Sequence, residues 1–588
     1  MNMRWSLEEL YTSFESDGFR EDVAKYDNYI NSLKKWSSEN LKDTNEPIRK
    51  IEEYIKMKSE FYSHYVKLSD YSELTLSVDA KNEKAAAASE EIDNKFTELT
   101  EVDVNFEKWL SALEDFEEIL NSSDIIKEHE FYLKELMERN KYLLSEKEEI
   151  VVAKMMNTGS NAWSKLQNTV TSNLLVDIEI KDEEKQLPLP VVRNMAYSND
   201  AETRKTAYEA ELKAYKKIEE ASAAALNGIK GEVITVSKLR GYESPLEETL
   251  IKSRLDRETL EAMVTAMKES LPSFRKFYLK KAEKLGHKKG LPFYDLFAPT
   301  GESDMRFTYE EARDFVVKNF RTFSNKLADF ADNAFENRWI DAEPREGKRG
   351  GAFCSNIHPI GESRIMSNFT GSFSDVATLA HELGHGYHGS CLMEESYLNS
   401  RYTMPIAETA SIFCETIVKN AALKNASKEE AYTILEGDIS DSAQVIVDIY
   451  SRYLFETELF KRREKASLSV NELKEIMLKA QKEAYGEGLD ENYLHPYMWV
   501  CKPHYYYAGQ NFYNFPYAFG LLFSKGLYVE YLRRGESFVD DYDKLLSVTG
   551  KNKIADVTAL MDVDIHSVDF WRSSLKLIEK DIEKFINL

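Results

Sequence analysis

His381-Glu382-Leu383-Gly384-His385-Gly386-Tyr387-His388 is the stretch from which the rest of this chain is read. Its first five residues fit H-E-x-x-H. Helical residues four apart lie about 40° apart around the axis, so on a helix both imidazoles leave one face. Two neutral imidazoles on one face can share a divalent ion. Zn²⁺ is the usual choice, because it takes nitrogen and carboxylate ligands tetrahedrally and tolerates an open position. Glu382 follows the first histidine and cannot point the same way; in such motifs it serves as general base towards water at the metal. The pentapeptide alone also fits two partly buried histidines beside a solvated glutamate, so its surroundings decide.

A catalytic zinc site needs a third protein ligand. The extended pattern H-E-x-x-H-x-x-G-x-x-H is excluded, since His388 stands where its glycine would be and Cys391 where its third histidine would be. The other common solution is a glutamate from a second helix. The run Met404-Pro405-Ile406-Ala407-Glu408 provides one, with Pro405 beside the start of that helix. Glu415, two turns further along the same face, can accept a hydrogen bond from the outer nitrogen of a ligand histidine. Exposed helix carboxylates are the bland alternative for both. The set favoured is therefore one Zn²⁺ per chain on His381, His385 and Glu408, with Glu382 as the base.

A second unusual stretch runs His504-Tyr505-Tyr506-Tyr507 through Phe512-Tyr513-Asn514-Phe515-Pro516-Tyr517. A histidine and tyrosines facing a metal site can donate hydrogen bonds to a carbonyl oxygen as it becomes an oxyanion. His504 and Tyr517 are the candidates for that role, with Tyr506 and Tyr513 behind them. Tyr505, Phe512 and Phe515 read as core.

Upstream of the motif, residues 352–354 and 365–369 read as strands, so a small sheet is expected beside the H-E-x-x-H helix. An open edge of that sheet could pair with an extended peptide. Gly347-Lys348-Arg349-Gly350-Gly351 is the most glycine-dense segment. It is no phosphate-binding P-loop, because no G-K-[ST] closes it; a flexible loop or a tight turn near a substrate backbone is expected. Ser372 or Ser374 caps the motif helix, which is expected over about 374–389, with Gly386 and Gly389 marking its end.

Outside this region the pattern is mostly helical. Ile51, Tyr54, Ile55 and Phe61, and again Phe106, Trp109, Leu110 and Leu113, recur at helical spacing. Only 24 Gly and 13 Pro in 588 residues favour the same reading. Leu174 to Ile180 alternates like a short strand, a charged turn is expected over 181–185, and Asn199 reads as an N-cap. A lobe boundary is placed near residue 190, dividing the chain into an N-terminal helical lobe, 1–190, and a catalytic domain, 191–588. The net charge of −25 argues against a nucleic-acid partner. No apolar run suits a signal peptide or a membrane span. Cys354, Cys391, Cys414 and Cys501 form no C-x-x-C pair and suggest reduced thiols used in packing, with a thiol near the metal as the alternative. A cytoplasmic protein is expected.

The motif stretch, Glu408-Thr409-Ala410-Ser411 with Glu415, and the segment from His504 to Tyr517 together resemble the thimet oligopeptidase family of zinc metallopeptidases, in its oligoendopeptidase F branch. Trp5-Ser6-Leu7-Glu8-Glu9-Leu10-Tyr11 and Tyr294-Asp295-Leu296-Phe297-Ala298-Pro299 resemble that branch as well. The resemblance implies a mostly α, bowl-like fold enclosing a deep channel, and hydrolysis of short peptides. It also implies His381, His385 and Glu408 as zinc ligands and Glu382 as base. His504 and Tyr517 match the family by position, while the second family tyrosine could be Tyr506, Tyr507 or Tyr513. The expected protein is a zinc endopeptidase acting on oligopeptides as a monomer or small homo-oligomer, without membrane or nucleic-acid partners. A zinc carboxypeptidase and a non-catalytic peptide-binding scaffold are the alternatives.

Overall fold

The computed structural model describes residues 1–301 and 305–588. The chain is mostly α-helical, as its composition and periodicity predict. Among the described residues the strands are β1 (Leu175–Ile180), β2 (Glu183–Pro188), β3 (Ile340–Asp341), β4 (Phe353–Ile357) and β5 (Glu362–Met366). No helix among those residues is long and apolar enough to cross a membrane. The contacts group the chain into two compact units, each assembled from three stretches. One holds Met1–Tyr142, Met305–Ala422 and Glu530–Val563; the other holds Leu143–Asp304, Leu423–Val529 and Asp564–Leu588. Neither coincides with the segments 1–190 or 191–588.

In the first unit the long helices α1 (Asp17–Asn40) and α2 (Pro47–Val78) pack together. The residues that recur at helical spacing form its core: Ile51, Tyr54, Ile55, Phe61, Phe106, Trp109 and Leu110 are all buried, and Leu113 packs against them. The Tyr54 and Phe106 rings stack with centroids 3.5 Å apart, so the aromatics of this region serve helix packing.

The expected sheet is present, in the order β3-β5-β4. β4 pairs antiparallel with β5 and β3 pairs parallel with it. The glycine-dense segment is a turn, with Gly347 and Gly351 both at positive φ, where a side chain would be strained. Its backbone is tied to the end of α2: the Ala80 N–H donates to the Gly347 carbonyl at 2.9 Å and the Arg349 N–H to the Ser77 carbonyl at 2.8 Å.

The motif helix, α3, runs Phe373–Cys391. Ser372 caps it: its Oγ accepts from the Asp375 N–H at 3.1 Å, and Asp375 Oδ2 accepts from the Ser372 N–H at 3.0 Å. A reciprocal box of this kind satisfies donors that the first turn leaves open. The helix does not stop at Gly386 or Gly389. Those glycines answer to packing, because a Cβ on Gly386 would lie 2.8 Å from the Phe330 ring and one on Gly389 2.2 Å from the Asn356 side chain.

In the second unit β1 and β2 form a hairpin. The charged turn is shorter than expected. Lys181 and Asp182 alone take positive φ, giving a two-residue hairpin loop, and the polar run after them is an exposed strand. The helix Ala201–Tyr215 is capped by Asp200, not Asn199; the Asp200 side chain accepts from the Thr203 N–H. Asp295, in the segment 294–299, is buried and accepts from Arg204 Nε at 2.7 Å, with His287 Nε2 2.6 Å from its other oxygen.

Replacing Ser372 by Ala is expected to lower the urea unfolding midpoint by the equivalent of about 1 kcal/mol, with the far-ultraviolet helical signal unchanged. An unshifted midpoint would mean that Asp375 alone suffices to hold the start of α3.

Candidate metal centre

The helical spacing of His381 and His385 brings their rings to a centroid distance of 4.9 Å on one face of α3. Glu408 comes to meet them from a junction. A short helix, Met404–Ala407, with Pro405 in its first turn, ends at Glu408, and α4 (Thr409–Asn425) begins after it. The carboxylate therefore sits at the seam between two helices and not within one, as sequence spacing suggests. Its Oε2 lies 3.3 Å from His381 Nε2 and 3.5 Å from His385 Nε2. Ser411 Oγ donates to the same oxygen at 2.8 Å and holds the side chain in place.

Gly384 makes this approach possible. A Cβ there would lie 2.5 Å from the Ala410 carbonyl oxygen and 2.5 Å from Ser411 Cα. Both are backbone atoms that cannot turn aside, so only glycine lets α3 come this close to the chain beside Glu408.

The donor set fits a metal. One ligand atom from each of His381, His385 and Glu408 lies within 4.8 Å of the others. Bonds of about 2.0–2.1 Å at tetrahedral angles put donor atoms about 3.3 Å apart, close to the two separations to Glu408 Oε2. The outer nitrogen of His381, Nδ1, is 3.3 Å from Glu415 Oε2. That contact suits a neutral imidazole which gives its outer N–H to a carboxylate and its inner lone pair to an ion.

The electrostatics point the same way. Burial disfavours a charged His381, yet Glu408 and Glu415 outweigh it and raise the imidazole to about 10. Burial and the charge of His381 push His385 down to about 4. Burial would raise Glu408, but His381 and His385 hold it at about 2. These shifts favour a proton on His381 beside its carboxylates; a divalent cation held by the three side chains would take over that role. Glu382 is 6% exposed, and its Oε2 has no hydrogen-bond partner among the described residues. Burial pushes its carboxyl up to about 7; His381 opposes this, while Glu408 and Glu415 add to it. A desolvated carboxylate with a free oxygen is suited to take a proton.

His388 stands apart from the ligands. It is fully buried, its Nε2 is 2.9 Å from Thr549 Oγ1, and its ring stacks on Tyr402 at 4.1 Å. All four cysteines are unpaired thiols. Cys354, on β4, is held well above the usual thiol range by burial and by the charge of Glu382. Sequence reasoning missed Ser411, Gly384 and Asn356, whose Nδ2 donates to the His385 carbonyl at 3.2 Å. Only the i, i+3 spacing of Glu408 and Ser411 offered a signal for the first.

His381, His385, Glu408, Glu382 and Glu415 belong to the first unit; the tyrosine-rich segment belongs to the second. There His504, half-buried on a 3₁₀ turn (Pro503–Tyr506), lies 5.3 Å from the Tyr513 ring, and Tyr513 lies 5.6 Å from Tyr517, ring centre to ring centre. Tyr505, Phe512 and Phe515 are buried, in keeping with a core role, and so is Tyr506 at 1% exposure. A buried ion pair anchors this segment. Lys230 Nζ donates to Glu456 Oε1 and to Asn511 Oδ1, both at 2.9 Å, and Asn514 Nδ2 donates to Glu456 Oε2 at 3.0 Å. Phe512 between them takes a left-handed φ of 51°.

Residues 194–577 match the sequence profile described as Peptidase family M3, and residues 112–174 the one described as Oligopeptidase F. Oligopeptidase PepF of Bacillus subtilis is 24% identical over 99% of this chain and 87% of its own length. The chromosomal oligoendopeptidase F of Lactococcus lactis is 26% identical over 66% of this chain and 65% of its own. In fold, a Chlamydophila abortus protein described as a candidate peptidase superposes with a TM-score of 0.85 at 21% identity, covering 99% of this chain and 98% of that one. Oligoendopeptidase-F of Enterococcus faecium gives 0.71 at 18% identity, covering 96% and 98%.

Gly384→Ala tests the close approach. Alanine would gain about 1 kcal/mol of helix propensity, but overpacking against fixed backbone costs about 1–3 kcal/mol. A net loss of stability in urea and weaker Zn²⁺ binding, read by competition with a chromophoric chelator, are expected. Undiminished Zn²⁺ affinity would show that the contact at Gly384 does not set the site.

Proposed function

The chain belongs to peptidase family M3, and from that premise we propose that it is a zinc-dependent endopeptidase hydrolysing short peptides. One observation carries the reading: the inner nitrogens of His381 and His385 converge on a single oxygen of Glu408, with the desolvated Glu382 beside them. His381, His385 and Glu408 would hold Zn²⁺, and Glu415 would fix the His381 ring through its outer nitrogen. Bound there, Zn²⁺ supplies a Lewis acid that polarises the scissile carbonyl and acidifies water.

Glu382 accepts the proton of the attacking water and delivers it to the leaving amine. Its free oxygen and its burial support that role. His504 and Tyr517 are proposed as the hydrogen-bond donors to the developing oxyanion. Their resemblance to the family segment and the run of rings from His504 to Tyr517 support this. Burial and the nearby Arg452 and Lys502 lower the His504 imidazole, which favours the neutral ring, a donor that brings no charge. Unpaired thiols suit a reducing compartment, and we place the protein in the cytoplasm, working as a monomer or small homo-oligomer.

Glu382→Gln is expected to retain stoichiometric Zn²⁺ while peptide turnover falls by about 10²–10⁴-fold. Turnover near that of the parent protein would remove Glu382 as the base. Glu408→Ala is expected to lose the metal, measured by elemental analysis after dialysis. Peptides blocked at both ends should be cut internally, as mass spectrometry would show; release only of free C-terminal residues from unblocked peptides would mark a carboxypeptidase.

A further inference from the structure

Beside β4 lies a cavity of about 590 Å³, bordered by α2, by the turn at Gly347 and by the strand itself. Among the described residues β4 is the outer strand of its sheet, with a strand neighbour on one side only. Successive residues of a strand face opposite sides. Asn356 faces α3 and touches the His385 carbonyl. Ser355 faces the other way, and its Oγ donates to Asp70 Oδ1 of α2 at 3.0 Å. A peptide added to the open edge of β4 would alternate in the same manner. It would send one side chain towards the metal-bearing helix and the next towards Asp70.

Asp70 lines the cavity, and among the described residues it pairs with no cation; its polar partner is the Ser355 hydroxyl. Burial pushes its carboxyl up to about 7, against the Ser355 hydrogen bond and with the charge of Glu73 adding to the rise. The cations nearby do not relieve it. Lys348 and Arg349 both border the cavity, but the Lys348 side chain is buried and committed to Asp341 at 2.7 Å and to backbone carbonyls, while Arg349 is exposed on the glycine-dense turn. Leu74 and Phe353 give the cavity apolar wall, which suits the methylene stem of a long basic side chain.

We propose that this cavity is a substrate subsite in which Asp70 receives the lysine or arginine side chain of a bound peptide, making Asp70 a specificity-determining residue. The inference rests on the peptidase reading above. An ammonium or guanidinium placed there supplies the counter-charge Asp70 lacks, and a charge-assisted hydrogen bond out of bulk water is strong enough to discriminate between side chains.

The test scans a neutral peptide with lysine or its uncharged isostere norleucine at each position in turn, at pH 8. At one position lysine is expected to raise kcat/KM by about tenfold. That ratio should fall towards one in Asp70→Asn and persist in Asp70→Glu. The same pair of peptides, titrated calorimetrically into the Glu382→Gln protein, should show the same ratio in Kd. Equal ratios in the parent and Asp70→Asn proteins would overturn the assignment of Asp70, while chelator-sensitive cleavage of neutral peptides left the peptidase reading standing. A lysine preference in Kd without any hydrolysis by the parent protein would instead overturn the peptidase reading and leave the cationic subsite.

Discussion

The convergence of His381, His385 and Glu408 depends on one close contact: α3 meets the chain at Ala410–Ser411 with no side chain between them. Gly384 sits at that contact. Because it adds no volume, the carboxylate at the end of the short helix Met404–Ala407 reaches both histidines with a single oxygen. Ser411, one helical turn after Glu408, then fixes the carboxylate from its own side of the contact. Gly386 and Gly389 do the same for the neighbouring faces of α3, towards Phe330 and Asn356. Three glycines in a helix weaken it by about 1 kcal/mol each relative to alanine. Packing on the sheet and the capping box at Ser372 offset that loss.

Charge is the second constraint. Glu408, Glu415 and Glu382 crowd around two imidazoles in a half-buried site. Desolvated carboxylates are costly unless a positive charge is near. The cluster therefore favours a cation at its centre: a proton on His381 is the weak form of that charge, and the proposed divalent ion would be the strong form. The same logic separates Glu382 from Glu408. Glu408 is bound by histidines and a hydroxyl and stays ionised. Glu382, with an unpartnered oxygen, is poised to exchange a proton. Two carboxylates within one site thus acquire different tasks from their surroundings.

Where sequence and structure part, the reason is local geometry. The helix end expected near Gly389 lies at Cys391, because glycine is demanded there by the Asn356 side chain and not by a left-handed turn. The polar run after Asp182 resembles a turn by composition, but hydrogen bonding to β1 makes it a strand with both faces wet. Tyr506 and Tyr513 look alike in the sequence, yet one is buried and the other joins His504 and Tyr517 in a run of rings. His388, a metal-ligand type inside the motif itself, is spent on Thr549 and Tyr402.

Mostly helical structure, two histidines on one helix face and Glu408 as the candidate third ligand can all be read from the amino-acid order. These follow from periodicity and motif spacing, which are properties of the local chain. The fold in three dimensions sets the rest: Glu408 at a helix seam, Gly384 as the contact that lets it reach, and Glu382 desolvated with an oxygen unpartnered among the described residues. It also brings Asp70, distant in sequence, against the strand that packs on α3. Each of these depends on which backbone comes against which, and one-dimensional spacing carries no record of that.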